Sequence, residues 1–398
     1  MKSIAIVGGG PAGAAAAERL LRGSDSSDSG ACPFEVTIFE ERLGWEKPCG
    51  GGLPAKAVQR YPFLLEACEL FTRVQEAELV AADGETARFR LRSPLLIYSR
   101  AALNRLLLHR AEAAGAQVET GHIRAISREG AGWRLESRKQ TYRADFLILA
   151  SGARSRLRDC VAGPLAAQDL MLTYGWFAPG SDSLLRVQFF EDFEGYAWAF
   201  PRPDHFSLGI IGRTGEVSME NLQQRLRVFV ARFGYHPEGG QVFSHIVPAL
   251  GPKTWSTMRL AGEGWALAGD AAGLADPLTS EGIYFAMRSG ELIAEALLEG
   301  RPEEYLARVW REFGRRHAAA ARLAPRFYRG KFMRRPSTTR MVQFCSQSAV
   351  FMNLLQDLFE GSQSYTGLVS RVYKSIVPGL FQYATSTLKK PLSNHDRL

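Results

Sequence analysis

Apolar runs that alternate with glycine-rich turns characterise the start of the chain. Residues 4–7 are apolar and lead into the turn at residues 8–13, and residues 14–21 continue with small and apolar side chains typical of a helix. A second apolar run follows at residues 36–40. The pattern predicts a strand, a helix and a second strand. Between them, residues 23–33 are rich in Ser, Asp and Gly, which predicts a flexible surface insertion.

The pattern of apolar and polar residues changes twice further along the chain. The region from 101 to 150 predicts one helix and then strands, and the region from 264 to 298 predicts a strand and a helix of the same type. Between them, residues 170–250 show alternating and aromatic-rich runs, which predict an antiparallel sheet interrupted by a helix at 219–233. From residue 301 onward the chain is mostly helical in pattern and basic. We therefore predict a first domain from residues 1–165 and 259–300, a sheet domain at 166–258 and a helical region at 301–398.

The first turn carries specific chemistry. Gly8 allows a tight turn, Gly10 lets a pyrophosphate approach the backbone, and Gly13 lets the helix and the strand pack closely. The helix N-terminus offers free N–H groups to the phosphates. Glu40, at the end of the next strand, is placed to accept hydrogen bonds from the ribose hydroxyls of an adenosine. Strand, glycines, helix, strand and acid occur in the order that predicts dinucleotide binding.

Composition and net charge limit the kinds of partner that this protein is expected to bind. The 398 residues carry a formal net charge of +8, which favours anionic partners, while the absence of zinc-finger spacing and of an aromatic-basic platform argues against nucleic acid. Five scattered cysteines indicate neither a disulfide framework nor a metal site. Without a signal segment or an apolar run long enough for a membrane span, we expect a cytoplasmic protein, or one peripheral to a membrane.

A basic stretch at residues 326–340, followed by apolar residues 349–355, is the feature that suggests membrane contact. The alternative is a helix that packs one apolar stripe onto the protein core.

Three further segments join the glycine turn. They are residues 147–155, which end an apolar run at Ser151-Gly152, then Gly269-Asp270, and residues 276–283. Their order resembles flavoproteins of the p-hydroxybenzoate hydroxylase superfamily, which hold FAD in an extended pose. The resemblance implies an α/β (α+β) protein. It would have a Rossmann-like FAD-binding domain, an antiparallel-sheet substrate domain and a helical C-terminal region.

Residue roles follow from that resemblance. Asp270 is expected at the ribityl or pyrophosphate part of FAD, residues 277–283 are expected to present backbone N–H groups to the flavin pyrimidine, and Arg100 is expected to lean toward the cofactor. The full set of expected cofactor-binding residues is Gly8, Gly10, Pro11, Ala12, Gly13, Glu40, Glu41, Cys49, Gly50, Gly51, Arg100, Gly152, Gly269, Asp270, Gly282 and Ile283.

Two motifs resemble the geranylgeranyl reductase family in particular. They are Lys47-Pro48-Cys49-Gly50-Gly51-Gly52-Leu53 and Tyr196-Ala197-Trp198-Ala199-Phe200-Pro201, the latter followed by Gly209. The resemblance covers about residues 1–300. In a strand, the three aromatic side chains share one face, where they can line an apolar slot for a prenyl chain. The expected catalytic residues are Cys49, Tyr196 and Trp198, and the expected substrate-binding residues are Tyr196, Trp198, Phe200 and Pro201.

Some positions depart from these patterns. Ser151-Gly152 stands where related hydroxylases have Asp-Gly, which weighs against direct use of NADPH. Asn104 stands where an aspartate is frequent. After Gly209, the second glycine of the downstream pair falls one position late, at Gly212. These departures bear on the substrate and the electron donor rather than on FAD.

The leading hypothesis is an FAD-dependent oxidoreductase that reduces carbon–carbon double bonds of a prenyl chain by hydride transfer from N5 of reduced flavin. NADPH or ferredoxin would be the electron donor. A flavin-dependent monooxygenase or halogenase is the alternative enzyme. An FAD-bearing binding or sensor protein is the alternative without turnover. The C-terminal region would either cap the substrate tunnel or brace the FAD domain.

Overall fold

The structure, a computed structural model, describes residues 1–24, 32–345 and 347–368. Residues 25–31 of the predicted insertion and residues 369–398 of the predicted helical region lie outside the described residues.

Strands form in the segments where β-branched and aromatic residues concentrate. They are β1 Lys2–Val7, β2 Phe34–Glu40, β3 Gly52–Leu53, β4 Phe71–Val80, β5 Thr86–Tyr98, β6 Gln117–Thr120, β7 Ala125–Glu129, β8 Gly132–Glu136, β9 Thr141–Ala144, β10 Phe146–Leu149, β11 Leu170–Pro179, β12 Leu184–Phe189, β13 Gly195–Pro201, β14 His205–Arg213, β15 Gln241–Pro248, β16 Ala261–Gly262, β17 Trp265–Leu267, β18 Lys331–Phe332 and β19 Arg335–Pro336.

Helices connect and cover them. They are α1 Pro11–Ser24, α2 Ala55–Arg60, α3 Arg100–Ala113, α4 Asp159–Ala162, α5 Met219–Arg232, α6 Pro252–Thr257, α7 Ile283–Leu298, α8 Tyr305–Val309, α9 Arg315–Tyr328, α10 Ser337–Cys345 and α11 Ala349–Glu360. A π-helical segment, Trp310–Gly314, joins α8 to α9.

A largely parallel sheet organises the first unit. Its strand order is β16-β17-β10-β1-β2-β6, and the pairs from β17 to β6 are all parallel. Its central strand β10 is buried on both faces, because the consecutive residues Leu147, Ile148 and Leu149 have no exposed surface. The carboxyl ends of β1, β2, β10 and β17 therefore meet at one edge. The predicted Rossmann-like α/β fold is confirmed.

The second sheet is larger than the sequence predicted. Its order is β15-β11-β14-β13-β12-β4-β5-β3, with antiparallel pairs except between β12 and β4. Strands β4 and β5, at residues 71–98, belong to it, although the sequence analysis assigned residues 1–165 to the FAD-binding unit. The pairing of β4 with β12 joins strands about 110 positions apart in the sequence. No local sequence pattern indicates this pairing. The proposed domain boundaries otherwise stay a prediction.

The C-terminal helices lie against this sheet. Leu355, Leu358 and Phe359 of α11 pack in one cluster with residues of β4, β5 and β12, which is the one-stripe packing considered for this helix. Among the described residues, no helix combines the length and the apolar character needed to cross a bilayer. Membrane-surface contact stays a prediction.

Helices α1 and α7 approach each other backbone to backbone. A methyl group at Gly290 of α7 would lie 2.1 Å from the Ala12 carbonyl oxygen and 3.0 Å from the Ala16 nitrogen. Small residues on α1, including Ala16 and Ala17 with no exposed surface, permit this approach. The close contact holds the N-terminus of α7 beside the glycine turn.

We expect Gly290→Ala to lower thermal stability. Alanine normally favours a helix over glycine by about 1 kcal/mol, but overpacking against backbone atoms costs about 1–3 kcal/mol, so the clash should dominate. Thermal unfolding followed by circular dichroism should show a lower Tm. Gly121→Ala is the matched control, because a methyl there meets no atom within 4 Å. An unchanged or higher Tm for Gly290→Ala would show that the helices separate without cost.

Candidate functional site

One large cavity runs from the carboxyl edge of the parallel sheet to the face of the antiparallel sheet. Its volume is about 930 Å³. It gathers almost every residue that the sequence analysis singled out: Gly8, Gly10, Pro11, Ala12, Glu40, Glu41, Cys49, Gly50, Gly51, Arg100, Gly152, Tyr196, Trp198, Phe200, Gly269, Asp270, Gly282 and Ile283. Their roles stay predictions, but the fold brings them together.

Two predicted residues, Gly13 and Pro201, are not among the residues that line the cavity, and their roles stay predictions. Gly13 lies beneath the turn, where a methyl group would sit 2.0 Å from the Gly8 carbonyl oxygen, so its contribution is packing. Pro201 is buried elsewhere. Because side chains alternate along β13, Pro201 shares a face with Ala197 and Ala199, opposite the aromatic face.

The glycine turn has the geometry of a phosphate cradle. Gly8 has φ +109°, and a side chain there would strike the Ala150 carbonyl oxygen at 2.4 Å. At Gly10 an added methyl would meet no protein atom within 4 Å. Gly10 therefore borders open space at the N-terminus of α1, where backbone N–H groups attract an anion.

Glu40 reaches back across the same turn. Its Oε2 accepts a hydrogen bond from the Gly9 nitrogen at 2.6 Å, and its Oε1 accepts one from the Arg42 nitrogen at 2.8 Å. These bonds hold the carboxylate at the cavity wall. Each oxygen keeps a second lone pair for the hydroxyls of a ribose.

An ion pair that the sequence analysis did not identify crosses the cavity floor. Lys47 Nζ lies 2.5 Å from Asp270 Oδ2. Burial acts to raise the pKa of Asp270, but the Lys47 ammonium outweighs it and holds that pKa below its usual value. His245 lines the same cavity and lies near this ion pair. Burial and Lys47 lower the pKa of His245 to about 3, so its imidazole is neutral.

Residues 276–283 form a tightly bonded loop before α7. Asp276, with no exposed surface, accepts hydrogen bonds from the Leu278 and Thr279 nitrogens at 2.9 and 3.2 Å, and its carbonyl accepts one from Ser280. The expectation that the whole segment offers N–H groups is therefore too broad. Within the described residues, the N–H groups of Gly282 and Ile283 are the ones left for a ligand.

Cys49 is held by a clamp that sequence reasoning missed. Its carbonyl oxygen accepts hydrogen bonds from Arg202 Nη2 at 2.5 Å and Ser207 Oγ at 2.9 Å. Ser207 Oγ also accepts one from Trp198 Nε1 at 3.1 Å, which ties the loop to the aromatic strand. Arg202, only 1% exposed, pairs with Glu46. An arginine directly after the aromatic motif was the one local signal.

Glu46 links that clamp to Arg100. Its carboxylate accepts hydrogen bonds from the nitrogens of Arg100 and Ala101 at 2.7 and 3.1 Å, and so caps α3. Burial acts to raise the pKa of Glu46, but Arg202 and these bonds lower it overall. The Arg100 side chain is buried at the cavity wall, and its Nε has no hydrogen-bond partner within the described residues.

The predicted aromatic wall is present. Tyr196, Trp198 and Phe200 face the cavity, while Ala197 and Ala199 pack on the opposite side with α5. A methyl at Gly209 would lie 2.1 Å from the Trp198 ring, so this glycine makes room for the indole. The late glycine, Gly212, lies on the opposite face of β14, and Ile211 lines the cavity instead.

Beyond that wall the cavity has an apolar branch. It is closed by side chains of the sheet and of the C-terminal helices, namely Leu79, Leu95, Val187, Phe189, Leu278, Phe327, Tyr328, Leu355, Leu358 and Phe359. Tyr328 donates a hydrogen bond to the Leu278 carbonyl at 2.5 Å, and Tyr196 donates one to the Thr279 carbonyl at 2.7 Å. The C-terminal helices therefore cover this apolar branch of the cavity.

The donor set suits an anionic dinucleotide. Lysine and arginine outnumber aspartate and glutamate along the cavity wall. Arg100 Nε and His245 Nε2 are buried without partners in the described part of the chain. With the open space at Gly10 and the free N–H groups at Gly282 and Ile283, these features fit FAD.

Comparison with known proteins agrees with this geometry. The family model described as pyridine nucleotide-disulphide oxidoreductase matches residues 2–170. Geranylgeranyl diphosphate reductase, chloroplastic, of Oryza sativa subsp. japonica is 28% identical over 329 residues. That match spans 75% of this chain and 66% of the Oryza protein, just under two thirds of its length.

Two solved structures share the fold. A geranylgeranyl bacteriochlorophyll reductase-like protein from Thermoplasma acidophilum superposes with a TM-score of 0.74 at 20% identity, covering 94% of this chain and 98% of that one. A flavin-dependent brominase gives a TM-score of 0.66 at 16% identity, covering 91% and 94%. At these identities, both similarities establish the fold alone.

We expect Gly10→Ala to weaken FAD binding without destabilising the apoprotein. The added methyl meets no protein atom, so it would obstruct only a ligand at the turn. FAD affinity, measured by fluorescence quenching, should fall at least tenfold, equivalent to about 1.4 kcal/mol. Gly13→Ala is the contrast, because its clash with Gly8 should lower Tm. Unchanged FAD affinity in Gly10→Ala would exclude the cradle.

Proposed function

We propose that this FAD-dependent oxidoreductase, which is similar to geranylgeranyl reductases, reduces carbon–carbon double bonds of a prenyl chain. One observation carries the proposal. The dinucleotide-binding edge and the apolar branch are parts of one cavity, and Cys49 and the aromatic wall lie between them. A cofactor and a long apolar substrate can therefore meet in a single enclosed space.

FAD would lie along the carboxyl edge of the parallel sheet. The turn at Gly8 and Gly10 would hold its pyrophosphate, Glu40 its ribose, and the N–H groups of Gly282 and Ile283 its pyrimidine edge. When bound in its reduced form, FAD would supply the hydride for one carbon of the alkene. We propose NADPH or ferredoxin as the source of its electrons.

The protein's own contribution begins with burial of the substrate. Each prenyl CH₂ removed from water contributes about 0.8 kcal/mol, so an extended apolar branch binds a long chain without polar contacts. Trp198 is held in place by Ser207 at 3.1 Å, and it forms a rigid wall with Tyr196 and Phe200. Helices α9 and α11 keep water from the reacting carbons.

Glu281 is a suitable proton source for the second alkene carbon. It lines the cavity, and its Oε1 accepts a hydrogen bond from the Tyr284 nitrogen at 2.8 Å. Burial raises the pKa of Glu281 to about 7; Asp276 raises it further, while the Tyr284 bond, Arg316 and Lys56 oppose the rise. At neutral pH a large share of this carboxyl therefore holds a proton at the cavity wall.

The direct test uses anaerobic protein loaded with FAD and reduced with dithionite, which removes the need for a biological donor. Geranylgeranyl diphosphate or geranylgeraniol is added, flavin reoxidation is followed by absorbance, and the product is weighed. We expect reoxidation together with a gain of two hydrogens per reduced bond. Reoxidation only after oxygen is admitted would favour the monooxygenase or halogenase alternative. A flavin that reoxidises with neither would favour the binding or sensor alternative.

Turnover should fall as pH rises through about 7. Glu281 is protonated below its raised pKa and loses its proton above it, so the acid form needed for proton delivery declines on the alkaline side. Glu281→Gln keeps an acceptor for Tyr284 but carries no acidic proton. We expect its reoxidation rate to fall about 100-fold and to lose the alkaline limb.

Glu303→Gln, at an exposed glutamate, is the matched control. A wild-type pH profile that survives in Glu281→Gln would assign the proton to another group.

A further inference from the structure

A second pocket adjoins the main cavity. Its volume is about 390 Å³, and it shares Arg316 and Gly361 with the main cavity. Residues of α2, α9 and the segment after α11 enclose it: Ala55, Lys56, Gln59, Arg316, Glu360, Gly361, Ser362, Gln363 and Ser364. In contrast to the apolar branch, seven of its nine lining residues have polar side chains.

Two cations are packed together at this pocket. Lys56 Nζ lies 4.5 Å from the ring centre of Tyr284 and 5.5 Å from that of Phe285, and the Arg316 guanidinium also lies 5.5 Å from Phe285. The two charges are near enough for Arg316 to act on the Lys56 ammonium. Burial and the nearby Arg316 lower the pKa of Lys56, because both disfavour a positive charge on its ammonium group.

The cations are incompletely neutralised. Arg316 pairs with Asp276 at 3.3 Å, but its Nε is buried without a hydrogen-bond partner in the described ranges. The Lys56 ammonium makes no hydrogen bond or ion pair within those ranges, although Glu281 and other carboxylates act on it from a greater distance. The carboxylate at the pocket rim, Glu360, is already bound by Arg92 at 2.8 and 2.9 Å. A ligand with negative charge would satisfy donors that the protein leaves open.

The backbone holds this arrangement in place. Gly361 ends α11 with φ +74°, and a methyl there would lie 3.2 Å from Pro54 and 3.5 Å from the Lys56 Cβ. Tyr365, further along the same segment, donates a hydrogen bond to Asp276 at 3.0 Å. The segment after α11 is therefore fastened to α2 and to the loop before α7, with the pocket between them.

We propose that this pocket binds the phosphate-bearing head group of an amphiphile whose apolar chain occupies the adjoining branch. The inference rests on the proposed function, because it assigns the polar end of the same substrate. Lysine and arginine side chains are the groups that recognise phosphate esters in proteins. A free prenyl diphosphate and a prenyl glycerophosphate lipid both present this chemistry.

The first test compares charged and uncharged substrates on the reduced holoenzyme. Lys56→Met should raise KM for geranylgeranyl diphosphate at least tenfold relative to KM for geranylgeraniol, with little change in kcat. Lys56→Arg should restore most of the difference. Lys139→Met, at an exposed lysine in the turn between β8 and β9, is the matched control. Equal effects on both substrates, or none, would overturn the head-group site.

A geranylgeranyl glycerophosphate lipid in neutral vesicles provides the third arm. A larger KM effect for this lipid than for the diphosphate identifies a lipid head group, and the reverse identifies a free diphosphate. Either result supports the pocket.

Binding of inorganic diphosphate separates this inference from the proposed reaction. Calorimetry on the oxidised holoenzyme, in which FAD already occupies its own site, should show binding that Lys56→Met abolishes and Lys139→Met retains. If no substrate reoxidises the flavin but this binding is seen, the reaction is wrong and the anion site holds. If the wild-type holoenzyme does not bind diphosphate and Lys56→Met leaves KM unchanged, the proposed head-group site is wrong.

Discussion

The contact between Gly13 and the Gly8 carbonyl is the constraint on which the rest of the structure depends. With 2.0 Å between that oxygen and any Cβ at position 13, only glycine lets α1 start directly above β1. Gly290 continues the same close packing from α7 onto α1, because a Cβ there would lie 2.1 Å from the Ala12 carbonyl oxygen. Backbone atoms therefore meet without intervening side chains. The N-termini of both helices are consequently held at one edge of the parallel sheet.

That edge fixes the electrostatics of the cavity. Helix N-termini, unpaired N–H groups and an excess of cations all face the space where an anionic cofactor would lie. The Lys47–Asp270 pair keeps the Asp270 carboxylate charged in spite of burial. The other part of the cavity is apolar, because leucine, valine and aromatic side chains line the branch. Polarity thus divides one cavity into two chemically different halves.

The packing around Cys49 explains why glycines surround it in the sequence. The glycines around Cys49 are required for packing: a methyl at Gly50 would strike the Phe200 ring at 2.6 Å, and one at Gly51 would strike the Tyr98 carbonyl at 2.1 Å. Arg202 and Ser207 then hold the Cys49 carbonyl from the other side. The loop and the aromatic strand form a single unit, so a change in either one displaces the other.

The sequence by itself determined the α/β unit, the glycine turn, Glu40 and the aromatic face of β13. These features depend on contacts or periodicities within a few residues, which a linear pattern records. Nearly every cofactor-binding residue that the sequence predicted lines the cavity, although it missed others there, such as His245 and Arg154. Only the tertiary structure decided that β4 and β5 join the second sheet, that α9 and α11 cover the apolar branch, and that Arg202 reaches Cys49 across 153 positions. Those contacts arise where distant segments bury surface against each other, and no local spacing encodes which segments will meet.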